Sequence, residues 1–137
     1  MTPDISILHV DDEPGVTEVV TAFLERESGR VTVTTAHSVS EGLAVIEKRD
    51  IDVVISDYDM PGRNGIQFFE SVREDYPDLP FIFYTGRNSR EIDSESASAA
   101  VTGYIKKRRG TDQYTTLATQ AVAAVDRGRP ESEPELA

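Results

Sequence analysis

A repeated alternation constrains this chain more than any other feature. Short, mostly apolar runs are separated by segments whose apolar residues recur at helical spacing. Four of the runs lead into residues able to do chemistry. Residues 5–10 lead into Asp11-Asp12, 51–56 into Asp57, 80–84 into Thr85, and 101–105 into Lys106-Lys107. A further run, 30–35, is rich in Val and Thr and reads as a strand. Pro14 is placed to open a helix carrying Val16, Val19, Val20, Phe23 and Leu24, which Gly29 ends. Ser38 or Ser40 caps a second helix with Val39, Leu43 and Ile46 on its apolar face. Ile66, Phe69 and Val72 mark a third, which stops before Pro77. Residues 89–100 read as a weak helix with little apolar surface. Residues 111–126 form the last, with Tyr114, Leu117, Ala121, Val122 and Val125.

Strands alternating with helices predict a parallel sheet covered on both faces, the doubly wound α/β class. Such sheets bind ligands at the carboxyl ends of their strands. The prediction is therefore that Asp11, Asp12, Asp57, Thr85 and one of Lys106 and Lys107 share one rim. Three carboxylates together repel one another, and a hard divalent cation relieves the repulsion. Oxygen-only ligands favour Mg²⁺ over Zn²⁺. A carboxylate beside Mg²⁺ and a lysine is suited to attack phosphorus and form an aspartyl phosphate.

Composition narrows the alternatives. The 137 residues correspond to one domain, read as 1–127, with 128–137 a disordered tail or linker. There is no Cys, which removes disulfides, thiolate metal sites and Cys nucleophiles. His9 and His37 are too few for an all-imidazole metal site. A net charge of −11 argues against a nucleic-acid surface across the domain. Only three of the 14 basic residues are Lys, an acidic and Lys-poor balance of the kind a halophilic source uses. No apolar run approaches a membrane span, and Met1-Thr2-Pro3-Asp4 lacks the basic opening of a signal peptide, so the expected setting is cytoplasmic.

At the strand ends the chain resembles a known family. Leu8-His9-Val10-Asp11-Asp12-Glu13-Pro14, Val53-Val54-Ile55-Ser56-Asp57-Tyr58-Asp59-Met60-Pro61-Gly62 and Tyr104-Ile105-Lys106-Lys107 look like the response-regulator receiver domain of two-component signalling. The resemblance covers roughly residues 4–126, and the wording around Asp57, Thr85 and Gly110 is similar to receivers from haloarchaea. It implies a flavodoxin-like (βα)5 fold with strand order 2-1-3-4-5. It also implies that Asp57 takes the phosphoryl group and that Asp12 ligates Mg²⁺ directly. Asp11 helps, and the Asp59 backbone carbonyl completes the ligands. Thr85 is then the switch hydroxyl, Tyr104 the aromatic that turns with it, and Lys107 the phosphoryl-binding lysine. The implied donor is a sensor histidine kinase or phosphotransfer protein. Self-association is expected through the helix at 88–100, the fifth strand and the last helix.

One departure from the family pattern stands out. Arg108 follows Lys107 where the family usually has a cis Pro. A cis bond before a residue other than Pro costs about 2.5–4 kcal/mol, so a trans bond and a shifted loop are expected. Strand alternation puts Lys106 on the opposite side from Lys107. His9 reads as a packed core residue, His37 as solvated, and Lys106, Arg108 and Arg109 as a basic turn. The expected function is a self-phosphorylating switch without turnover of a separate substrate. Two other readings compete: a receiver-like interaction module without phosphorylation, and an Asp-x-Asp phosphatase built on Asp57 and Asp59.

Overall fold

The computed structural model describes residues 4–58, 60, 65–86, 103–107 and 112–128. In chain order the elements are β1 (Ile5–Val10), α1 (Pro14–Glu27), β2 (Val31–Ala36), α2 (Val39–Lys48) and β3 (Val53–Ser56). They continue with α3 (Gly65–Asp75), β4 (Phe81–Thr85), β5 (Gly103–Lys106) and α4 (Asp112–Gly128). The five strands form one parallel sheet in the order β2-β1-β3-β4-β5. The α/β class and the strand order expected from the sequence are both present. The helix expected at 89–100 lies outside the described residues, as do most of the tail and the Lys107–Arg108 loop beyond Lys107.

Strand alternation sorts the side chains into two cores. Leu8, Val10, Val54, Phe81 and Phe83 pack on the face covered by α2 and α3. Ile5, Ile7, Val53, Ile55, Ile82 and Ile105 pack on the other face, against Val20 and Leu24 of α1 and Leu117, Ala121 and Val125 of α4. Strands buried on both sides need continuous apolar runs, which is why β3 and β4 are buried at every position.

Local signals set most helix starts. Pro14 occupies the first turn of α1. Ser38, rather than Ser40, caps α2: its Oγ accepts from the Glu41 N–H at 3.1 Å, and Glu41 Oε1 in turn accepts from the His37 N–H at 2.6 Å. His37 is exposed as expected, yet its Nε2 lies 3.1 Å from Thr17 Oγ1. β2 begins and ends one residue later than its composition predicted. β3 starts at Val53 because Asp52 leaves the ladder at this point: its N–H bonds to Ser6 O while its own Oδ2 accepts from the Ser6 N–H, both at 2.8 Å.

One packing expectation needs correction: Val19, placed by its spacing on the apolar face of α1, is 42% exposed, and Thr17 is buried in the first turn instead. Phe68, which the spacing of Ile66, Phe69 and Val72 does not single out, is fully buried. It enters because Gly42 of α2 has no side chain: a Cβ there would meet Phe68 Cζ at 3.0 Å and Val10 Cγ2 at 3.1 Å. Phe68 then packs edge-on to Phe81, whose ring also meets Phe69 and Phe83 at centroid distances of 5.2 and 5.3 Å.

His9 sits in β1 on the α1/α4 face, fully buried as expected, and neither ring nitrogen has a hydrogen-bond partner among the described residues. Burial, then the charge of Lys107 and that of His37, lower its pKa to about 3. The unfolded chain takes this proton near 6.5, so the folded state loses stability as pH falls from 6.5 toward 3. The limiting slope is about 1.4 kcal/mol per pH unit. Burial raises the pKa of Asp57, which acts in the opposite sense in acid, so the test is a difference. Urea unfolding at pH 7, 6 and 5 should show wild type losing more stability than His9→Leu over this range. Parallel losses in the two proteins would contradict a neutral buried His9.

Candidate functional site

The sheet places the chemistry at its carboxyl edge. Val10 pairs with Ser56, so the residues that follow, Asp11 and Asp57, leave adjacent strands at the same level. Backbone bonds extend the ladder past the strand ends: Asp11 N–H to Ala36 O at 3.1 Å, Asp57 N–H to Val10 O at 2.9 Å, and Lys107 N–H to Thr85 O at 2.8 Å. The rim residues are therefore held by main chain rather than by loop conformation.

Asp11, Asp12 and Asp57 each offer a carboxylate oxygen within 4.8 Å of the others. Asp11 is fully buried and Asp57 is 7% exposed. The Lys107 ammonium reaches both, donating to Asp11 Oδ2 at 2.7 Å and to Asp57 Oδ2 at 3.3 Å. The remaining oxygens accept backbone donors: Asp57 Oδ1 from the Tyr58 N–H at 2.7 Å and Asp11 Oδ1 from the Glu13 N–H at 3.0 Å. Thr85, fully buried at the end of β4, hydrogen-bonds the Asp57 carboxylate through its hydroxyl. Lys106 ends β5, and it is the next residue, Lys107, that enters the pocket.

The electrostatics are a near balance. Burial raises the Asp57 pKa; Lys107 opposes this, Asp11 adds to it, and the bonds from Thr85 and Tyr58 lower it again. Burial alone would lower the Lys107 pKa. The hydrogen bond to Asp11 and the charges of Asp57 and Asp11 outweigh burial and leave it raised. One cation thus offsets two buried carboxylates, while Asp12 adds a third negative group beside them. Hard oxygen donors with an uncompensated negative charge fit a divalent cation of the Mg²⁺ type.

Of the residues predicted for this site, Asp11, Asp12, Asp57, Thr85 and Lys107 come together. Asp59 and the ring of Tyr104 lie outside what is described. The sequence missed several supporting groups. Ser56 Oγ donates to the Asp57 carbonyl at 2.8 Å. Tyr84, on the strand residue before Thr85, has its ring centroid 5.6 Å from Lys107 Nζ. At Gly65 the start of α3 presses against the backbone that carries Asp57. The Gly65 N–H donates to Tyr58 O at 2.6 Å. A Cβ would lie 2.6 Å from Phe83 Cε1 and 2.8 Å from both Asp57 O and Tyr58 Cα.

Comparison with known proteins gives a consistent result. Residues 7–119 match the family described as the response regulator receiver domain. The response regulator Rre1 of Synechocystis is 34% identical over 125 residues, covering 90% of this chain and 54% of its own length. The chain thus spans about half of that relative. The chemotaxis protein CheY-3 of Vibrio cholerae is 33% identical over 109 residues, covering 78% of this chain and 83% of its own. Among solved structures, the response regulator TrrA of Thermotoga maritima, in complex with Mg²⁺-BeF, superposes with a TM-score of 0.74. It is 27% identical and covers 85% of this chain and 98% of its own.

Because its missing Cβ lets α3 rest on the Asp57–Tyr58 backbone, Gly65→Ala should destabilise the fold by about 1–3 kcal/mol. It should also shift the Asp57 and Tyr58 amide resonances. Denaturant titration and backbone NMR check this. A variant with unchanged stability and unchanged resonances would show that the approach is not tight.

Proposed function

The chain belongs to the response regulator receiver domain family, and from that membership and its acid–lysine pocket we propose that Asp57 accepts a phosphoryl group. That membership favours this reading over an Asp-x-Asp phosphatase. The observation that carries the proposal is the bridging of Asp11 and Asp57 by Lys107 in a cluster of three carboxylates at the sheet's carboxyl edge.

Asp11, Asp12, Asp57 and the Asp59 carbonyl would hold Mg²⁺, which supplies charge neutralisation for the incoming phosphoryl oxygens. The Thermotoga relative, a complex with Mg²⁺-BeF, supports this assignment. An Asp57 carboxylate oxygen forms the new bond to phosphorus as the bond from phosphorus to the donor breaks. A phosphohistidine donor keeps the electron pair of that bond on its ring nitrogen and takes up a proton there. Lys107, already 3.3 Å from Asp57, and Thr85 donate to phosphoryl oxygens. The donor is a sensor histidine kinase or phosphotransfer protein.

The output is conformational rather than turnover of a second substrate. Thr85 moves toward the phosphoryl group, Tyr104 turns in response, and the surface carried by β5 and α4 is repopulated for a partner or a second copy. The −11 charge and scarcity of Lys suit a salt-rich cytoplasm.

Mass spectrometry after treatment with acetyl phosphate and Mg²⁺ should show one added phosphoryl group in wild type and none in Asp57→Ala. Equal incorporation in the variant would move the site elsewhere. Mg²⁺ should raise the Tm at constant ionic strength, and Asp12→Asn should remove most of that rise. A Tm indifferent to Mg²⁺ would count against cation binding by these acids.

A further inference from the structure

Lys107 has a second set of neighbours besides the acids. Tyr84 is 2% exposed on β4, and its side chain lies on the α1/α4 face. Its ring centroid is 5.6 Å from Lys107 Nζ, within the range over which an ammonium is attracted to an aromatic face. Its hydroxyl donates to Gln113 Oε1 at 2.5 Å. Gln113 is itself 7% exposed, although it is the second residue of α4. A buried glutamine at a helix start calls for a reason, and here its carbonyl receives the only proton the Tyr84 hydroxyl can give. Burial, followed by the neighbouring Tyr114, raises the Tyr84 pKa, so the hydroxyl stays protonated and keeps its donor role.

These contacts form a continuous chain. Asp57 and Asp11 hold the Lys107 ammonium, the ammonium lies by the Tyr84 ring, and the ring is tied to the first turn of α4. Adding a phosphoryl group to Asp57 brings about −1.5 to −2 charges, which draws the ammonium toward the new oxygens. The ring and its tether respond to that displacement. We propose that Tyr84 is a positioning residue for Lys107, and that its bond to Gln113 transmits displacement of Lys107 to the first turn of α4. This rests on Asp57 being the acceptor. It is a route other than the Thr85 hydroxyl, because it leaves the pocket on the α1/α4 side of the sheet through a hydrogen bond between β4 and α4.

The test uses the full chain with Mg²⁺ and beryllofluoride, followed by NMR, together with initial rates of phosphorylation by acetyl phosphate. Tyr84→Phe keeps the ring and removes the tether. It should bind beryllofluoride within about threefold of wild type, while the resonance changes at residues 112–117 fall by more than half. Tyr84→Leu removes the ring and should weaken beryllofluoride binding and slow phosphorylation about tenfold, the scale of a partly desolvated ammonium–ring contact. In a cycle with Lys107→Ala, that loss should disappear, because the ring then has no ammonium to place. Losses that add in the double variant, or a Tyr84→Phe protein whose α4 resonances respond like wild type, would overturn the proposal. Wild-type protein that neither binds beryllofluoride nor takes a phosphoryl group would instead overturn the acceptor reading, and this inference with it.

Discussion

Two buried carboxylates on adjacent parallel strands, bridged by one ammonium, are the interaction on which the rest of this molecule turns. Asp11 and Asp57 follow Val10 and Ser56, which are register partners, so they cannot avoid each other. Each is deprived of water, and without a cation their two charges would repel one another at close range. Lys107 comes from beyond β5, two strands away from β3 in the sheet, and reaches both. The arrangement leaves the pocket poised: a further cation relieves it, and a further anionic group redistributes the ammonium's attention.

Everything around the pocket keeps that balance in place. The backbone ladder runs one residue past β1, β3 and β5, so the acids and Lys107 inherit the rigidity of the sheet. Below them, the α2/α3 side is an aromatic cluster in which Phe81 meets Phe68, Phe69 and Phe83, and Tyr58 extends it to the pocket floor. Gly65 lets α3 approach the Asp57 backbone, and Gly42 makes room for Phe68. The opposite side is different in kind. There His9, Tyr84 and Gln113 put polar groups into an otherwise aliphatic core, directly beneath Asp11 and Lys107. A polar group in such a place is costly unless it is bonded. The Tyr84 hydroxyl bonds to the Gln113 carbonyl, whereas His9 stays neutral with no partner among the described residues.

Much of this was legible from local pattern. The order of strands and helices, the residues that end each strand, and the preference for Lys107 over Lys106 follow from periodicities of 3.6 and 2 and from the family motifs. Where the reading failed, it failed on questions that a single segment cannot answer. Val19 has the spacing of a core residue but faces solvent, because the rotation of α1 is set by what it packs on. Phe68 is buried because a gap exists on a different helix, 26 positions earlier.

The sequence by itself therefore determined the alternating architecture and the identity of the groups on the rim, because burial on both faces demands unbroken apolar strands and those strands must end somewhere. Only the tertiary structure decided that Asp11 and Asp57 share one ammonium, that Gly65 must be bare, and that Tyr84 ties Lys107 to Gln113. Those contacts join residues far apart in the chain. They depend on strand neighbours, helix rotation and the volume left between layers, and none of these is written in the period of any one element.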